Sequence, residues 1–330
     1  MNKKIICLLL GTLAAVSFVG CSNSTQPTTN NSSVSSQMNT QGITITQNVE
    51  GIDYDITYDK VPQRAVSLSS WTTEMMLALG LEESMVGTAY QDNEILPEFK
   101  DAYNSVPSLS EANVSREKMV ATAPDFLTGW ASDFKEKNHN PKFCEENGIK
   151  MYVPKCENAL VTMDTVYEDF TNLGKIFQVE NRATQIIKTM KSKIEDIENK
   201  LPKEKIPKVF IYESGADAPY TPVGALPSEI VKKAGGQNIF ADSDKAWATV
   251  GWEDVVANDP DYIVVMKYDS HDDYAEKMDT LHNNPALRDI TAIKENNIIE
   301  IPAADLLPGV RNVRAIEQLA KAFHPEVFND

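Results

Sequence analysis

The body of the chain alternates between strand-like and helix-like runs of hydrophobic positions. Residues 64–68 make a short apolar run suited to a buried strand, and 72–79 carry helical spacing closed by Gly80. Residues 85–89 and 126–128 read as the next strands, and 134–146 as a helix ended by Gly148 before a strand at 149–153. From about 163 to 200 the pattern changes. Proline is absent, Gly174 is the sole glycine, and the second half is strongly amphipathic, so one long helix is expected, stopped by Leu201-Pro202. The alternation then resumes, with strands at 208–212 and 298–301 and helices at 228–234, 271–282 and about 311–323. This predicts an α/β fold of two lobes joined by one long rigid helix, a stiffer connection than a Gly/Ser linker.

One pattern occurs twice. Residues 115–127 (SREKMVATAPDFL) and 251–263 (GWEDVVANDPDYI) lie 136 residues apart. Each copy sets a helix-capping residue, Ser115 or Gly251, two positions before a glutamate, Glu117 or Glu253. A short apolar helix follows, Pro-Asp stops it, and a hydrophobic strand comes next. Two such units imply two similar lobes, each offering a glutamate at the same structural place. A first-turn glutamate also suits the helix dipole by about 0.3–1 kcal/mol, which is the structural alternative. The matched pair points instead to docking on a two-fold symmetric partner.

The first residues set the compartment. Lys3 and Lys4 precede an apolar stretch, residues 5–19, that ends in Phe18-Val19-Gly20-Cys21. A span this short before a small-residue site reads as a signal peptide rather than a membrane helix, and the ending resembles a lipobox with Cys21 as the lipidated residue. Residues 22–41 are Ser, Thr, Asn and Gln with almost nothing apolar, the composition of a flexible leash. The expected layout is a signal peptide at 1–20, a tether at 21–45, an N-terminal lobe at 46–162, an interlobe helix region at 163–201 and a C-terminal lobe at 202–330. The formal charge of −17, two units more negative once Lys3 and Lys4 leave, makes the chain a poor nucleic-acid binder. Of the four cysteines, Cys144 and Cys156 remain in the body, and a disulfide between them is left open.

Aromatic placement supplies the candidate binding site. Trp71 follows the first body strand and Trp130 the strand of the first repeat, while Trp247 precedes the second repeat and Trp252 opens its helix. Ligands in open α/β sheets sit beyond the carboxyl ends of the strands, where Trp71 and Trp130 are expected; these two and Trp247 are candidates for stacking on a flat or cationic ligand, with packing at the lobe edges as the alternative. Trp252 reads as structural. Tyr220, in a polar loop after the strand at 208–212, and Arg311, opening the last helix, are further candidates, Arg311 for an anionic group or a surface ion pair. The four histidines, 139, 271, 282 and 324, are scattered, which disfavours a bare transition-metal site. No nucleophile elbow, His-Glu-x-x-His or phosphate-cradling loop is present, so no catalytic constellation is expected.

These features together resemble a substrate-binding lipoprotein of an ABC importer, in the helical-backbone family that receives ferric siderophores, haem or cobalamin. The resemblance rests on residues 61–69 running into 73–80, on 85–88, 234–240 and 284–287, on Trp247 ahead of Glu253 and Asp259-Pro260-Asp261, and on 324–328; it covers residues 46–330. It implies a monomeric, non-enzymatic receptor without a cofactor, held by lipid at the outer face of the cytoplasmic membrane. Its ligand would be an iron chelate, haem or cobalamin in the interlobe cleft, delivered to a permease dimer with its ATPase. It implies permease docking through Glu117 and Glu253. The absence of a Lys/Arg cluster favours a neutral or cationic hydroxamate complex, or a corrinoid, over an anionic catecholate. A receptor for a free transition-metal ion and a lipid-anchored hydrolase are the alternatives.

Overall fold

The computed structural model describes residues 42–91, 93–157, 161–241, 245–269 and 274–328. The signal peptide, Cys21 and His271 lie outside them. The expected tether, residues 21–45, ends too late. Strand β1 (Ile43–Val49) already starts at Ile43 and pairs antiparallel along its whole length with β2 (Ile52–Tyr58). The Ile-Thr-Ile-Thr alternation at 43–46 is the period-two signal of a half-buried strand, and the expected tether overlaps its start. Glu50 and Gly51 both take positive φ, 52° and 82°, the geometry of a tight two-residue hairpin turn. The Tyr58 hydroxyl donates to the Met151 carbonyl at 2.6 Å, and the Val153 amide donates to Gln47 Oε1 at 2.8 Å, fastening the hairpin to the body.

The first lobe is a parallel sheet. In chain order come β3 (Ala65–Ser67), α1 (Ser70–Ala78), β4 (Met85–Ala89), α2 (Lys100–Ser105), β5 (Ser108–Ser110), α3 (Arg116–Thr122), β6 (Phe126–Thr128), α4 (Pro141–Glu146) and β7 (Lys150–Tyr152). The strand order is β5-β4-β3-β6-β7. The helix expected at 134–146 is shorter. Residues 131–134 form a 3₁₀ turn, and the helix starts at Pro141 because the Asn140 side chain accepts from the Phe143 amide at 2.9 Å.

The single helix expected at 163–200 is two, α5 (Met163–Ile176) and α6 (Glu180–Glu198). The Val179 amide bonds back to the Gly174 carbonyl at 2.8 Å, with Gln178 left-handed at φ 56°, which is the geometry of a Schellman stop. Gly174 permits the turn-back, since a Cβ there would stand 2.7 Å from the Cβ of Ala183.

The second lobe follows: β8 (Lys208–Tyr212), β9 (Tyr220–Pro222), α7 (Leu226–Lys233), β10 (Gln237–Asn238), β11 (Trp247–Thr249), α8 (Trp252–Asn258), β12 (Tyr262–Lys267), α9 (Tyr274–Asn283), α10 (Thr291–Lys294), β13 (Ile298–Pro302), α11 (Ala303–Leu306), α12 (Asn312–Phe323) and α13 (Pro325–Phe328). Its parallel sheet has the order β10-β8-β12-β13, and β9 and β11 form a separate antiparallel ribbon. Strand residues feed two cores by turns, as parallel strands covered on both faces do. Along β8, Val209 and Ile211 enter a central core while Phe210 and Tyr212 enter an outer one; along β12, Val264 and Met266 oppose Ile263 and Val265 in the same way. The first sheet repeats this, with Ala65 and Phe126 in the central core and Val66 and Leu127 in its own outer core. The central core is thus common to both sheets and includes residues of α5, α6 and α12. No helix among the described residues is long and apolar enough to cross a membrane.

Candidate functional site

Both sheets are wound in two directions from their first strand. From β3 the chain builds β4 and β5 on one side and β6 and β7 on the other; from β8 it builds β10 on one side and β12 and β13 on the other. Crevices open beyond the carboxyl ends of strands at such switch points. The residues leaving these ends are Leu68 and Gly129-Trp130 in the first lobe, and Glu213 and Tyr268 in the second. A cavity of ≈ 460 Å³ joins them, lined by Leu68, Tyr90, Trp130 and Asp133 from one lobe and by Glu213, Tyr268 and Leu307 from the other. That volume falls among small-molecule sites, roughly 300–1,000 Å³. Two other hollows lie against the hairpin, away from both switch points.

The structure sorts the candidate aromatics. Trp130 is half-buried and lines the cavity. Trp71 packs edge-on against it, ring centroids 5.5 Å apart, but is only 3% exposed and faces a small interlobe space beside Glu74, Asn93 and Arg311. Tyr220 and Trp247 stack on one another at 5.6 Å and 15° across the β9–β11 ribbon. The ribbon adjoins the cavity through backbone, since the Glu213 amide donates to the Tyr220 carbonyl at 3.1 Å. Trp252 is buried, with Nε1 donating to the Ala216 carbonyl at 2.8 Å. Arg311 is not presented to a ligand. Its guanidinium is buried and meets Glu74 through Nε (2.6 Å) and Nη2 (2.5 Å), with Asp305 Oδ1 3.4 Å from Nη1.

Of the residues lining the cavity, Trp130 alone is among the candidates from the sequence; Tyr90, Asp133, Glu213 and Tyr268 supply the other aromatic and acidic groups. Three follow strand ends directly, so the rule that singled out the tryptophans reaches them too. Tyr90 also has φ 53°, an unusual conformation for a bulky residue and one that gathers at binding sites. Asp133 is held in place by the Trp130 amide, which donates to Oδ2 at 2.8 Å. Burial pushes its carboxyl up to about 6, against the lowering effect of that bond. Glu213 accepts from the Ser214 hydroxyl.

Among the described residues no group of three or more His, Cys, Asp or Glu is placed to hold a metal ion. His139 and His324 are buried in different lobes. Cys144 and Cys156 are both buried thiols, and burial pushes that of Cys144 up to about 12.

The repeated segments are alike in three dimensions. Ser115 and Gly251 are both extended, at φ −72° and −83°, and both helices end on a left-handed residue, Ala123 or Asp259. The carboxylate after each Pro takes the backbone amide at the start of the lobe's first strand: Asp125 accepts from Arg64 at 2.9 Å, and Asp261 from Lys208 at 2.8 Å. The same two basic side chains reach the ends of the helices, Arg64 donating to the Thr122 carbonyl at 2.7 Å and Lys208 to the Asn258 carbonyl at 3.0 Å. The C-terminal ends of α3 and α8 therefore lie at the amino edges of their sheets. Their N-terminal ends, with Glu117 and Glu253, rise towards the cavity edge, and Asn113, just ahead of α3, is itself a cavity residue. Both glutamates are exposed. The Glu117 carboxyl is held below its usual range by its own amide and by the Ser115 hydroxyl. The Glu253 carboxylate folds back over Gly251, where a Cβ would collide with it.

The profile of the family described as "Periplasmic binding protein" matches residues 66–304. The chain belongs to that family. Its members are substrate-binding transport proteins and not enzymes. The chain is 26% identical over 96% of both lengths to an uncharacterized ABC transporter substrate-binding lipoprotein, YvrC, of Bacillus subtilis. It is 28% identical to the vitamin B12-binding protein of Yersinia pestis, over 62% of this chain and 69% of that one. A periplasmic binding protein from Veillonella parvula superposes with a TM-score of 0.82 at 33% identity, covering 86% of this chain and 99% of the other. A protein of an ABC-type Fe3+-hydroxamate transport system from Saccharomonospora viridis does so with a TM-score of 0.71 at 25% identity, covering 84% and 98%. The periplasmic binding protein is thus an α/β molecule of two lobes with parallel sheets, as the alternation predicts.

Proposed function

We propose that this binding protein takes a metal complex, a ferric siderophore or a corrinoid, into the cavity between its lobes and delivers it to the permease dimer of an ABC importer. The cavity carries this reading. It joins the switch points of both sheets and is lined by aromatic residues from both lobes, Tyr90 and Trp130 from one and Tyr268 from the other. Such walls suit a large, partly apolar complex better than a bare ion, which needs converging ligand atoms. Relatives named for Fe3+-hydroxamate transport and for vitamin B12 binding support the same class. The Tyr220–Trp247 stack on the neighbouring ribbon extends the aromatic surface beyond the cavity.

The remaining assignments follow from that role. Lipid on Cys21 would hold the body at the outer face of the membrane, as the name of the Bacillus subtilis relative supports. Glu117 and Glu253 would dock on basic pockets of the two permease subunits, because the repeat sets them at equivalent places on the cavity edge of the two lobes.

Tryptophan fluorescence of the purified chain, titrated with ferric hydroxamates, haem and cobalamin, tests the ligand class. Saturable quenching by a ferric hydroxamate or by cobalamin is expected; quenching by haem alone, or by none with a stoichiometric free metal in the purified protein, overturns the reading. For docking, Glu117→Lys with Glu253→Lys is expected to abolish uptake of the bound complex while leaving its affinity unchanged. Undiminished uptake would remove both residues from the permease contact.

A further inference from the structure

The charge lining the cavity is one-sided. Among the described residues that line it, the ionisable acids are Asp133 and Glu213, one from each lobe, and no Lys or Arg is present. Three cations on adjoining segments have partners of their own. Lys267 pairs with Glu300 at 2.8 Å, and Arg311 is buried against Glu74. Lys277 donates to the Met266 carbonyl at 2.7 Å, with its ammonium 5.4 Å from the centroid of the Tyr268 ring. We propose that Asp133 and Glu213 make this cavity select metal complexes bearing a positive charge over their neutral and anionic counterparts. The inference rests on the function proposed above and names the ligand charge that function prefers.

The physics follows from placement. A cation in the cavity meets both carboxylates beside Leu68, Leu307 and the aromatic rings, where each attraction is stronger than in bulk water. The Trp130 ring adds cation–π attraction of the same sign, whereas the Tyr268 ring already carries the Lys277 ammonium. An anionic complex meets two like charges in the same space, with no lining cation to offset them. Specificity then comes as much from repelling the wrong ligand as from attracting the right one. Asp133 is 8% exposed and fixed by the Trp130 amide, so it cannot swing away from an approaching anion.

The test compares ligands that differ by one charge. A linear ferric trihydroxamate with a free amine is titrated against its N-acetylated form, and a corrinoid with axial water against the same corrinoid with axial cyanide. A ferric tris-catecholate serves as the polyanion. The cationic member of whichever pair binds is expected to win by on the order of tenfold, the worth of one charge-assisted hydrogen bond. That ratio should fall towards one in Glu213→Gln and in Asp133→Asn. If Asp133→Asn fails to fold, as judged by circular dichroism, the half-buried Glu213 carries the test alone. Equal affinity within the bound pair, a ratio unmoved by the substitutions, or tightest binding of the tris-catecholate would overturn the inference while leaving the proposed function standing. Binding of no complex, the tris-catecholate included, overturns the proposed function, and this inference with it.

Discussion

Asp133 shows how much of the site depends on a single neighbour. A Cβ at Gly129 would stand 2.5 Å from Asp133 Oδ2 and 2.7 Å from the Cβ of Leu68, so glycine alone lets the carboxylate tuck in beside the end of β6. The buried carboxyl binds its proton more tightly than a solvated aspartate, at about 6 against 3.8. Between those values the folded state holds more protons than the unfolded one, so this group's contribution to stability falls as pH rises through the window. Asp133→Asn removes that dependence. Relative to the parent, the variant is expected to gain stability between pH 4.5 and pH 7, by about 2 kcal/mol. Urea unfolding at the two pH values measures the difference; a gain that does not change with pH would mean the carboxyl is not buried as described.

Elements repeat where their sequences do, yet equivalent positions carry different chemistry. Ala123 and Asp259 end α3 and α8 in the same left-handed conformation, at φ 48° and 44°. Ala123 has only the strain, so Ala123→Gly is expected to stabilise by about 1 kcal/mol. Asp259 uses its side chain as well, accepting from the Thr291 amide at 2.7 Å and the Thr291 hydroxyl at 3.0 Å. Asp259→Gly should therefore cost about 1 kcal/mol net despite relieving the same strain. Thermal melts of the two variants should shift in opposite directions. This scale also shows what was legible beforehand. Strands β4, β6 and β8 appear where the apolar runs place them, because parallel strands buried on both faces leave an unbroken hydrophobic signature. The break after α5 did not, because Gln178 stands where a helix stop is ordinarily marked by glycine. Nor did the reach of Arg64 and Lys208 to the helix ends, or the inward turn of Asp133, since each depends on segments brought together only by folding. The strand-end rule does reach Tyr90, Glu213 and Tyr268, each of which directly follows a strand.

The whole molecule is built to keep its lobes together. Its largest core is shared by both sheets and by α5, α6 and α12, so wide separation would expose apolar surface at about 25 cal/mol per Å². A buried ion pair reinforces it: Glu74 on α1 and Arg311 before α12 are each 7% exposed and bonded through two nitrogens. Segment 93–96 is clasped at the same place, its Leu96 amide donating to Glu74 at 2.8 Å and its Glu94 amide to Asp269 at 3.0 Å, while Arg311 donates to the Glu94 carbonyl. Removing one member of such a pair strands the other charge, so Arg311→Met is expected to cost about 3–5 kcal/mol in urea unfolding. Removing both charges together, Glu74→Leu with Arg311→Met, should recover most of that loss, because the space is refilled with apolar atoms. The double variant still lacks the acceptor of the Leu96 amide, so hydrogen exchange there should be faster than in the parent even where global stability is restored. Exchange at Leu96 as slow as in the parent would mean that the shared core alone holds the lobes, and that the ion pair follows their arrangement rather than setting it.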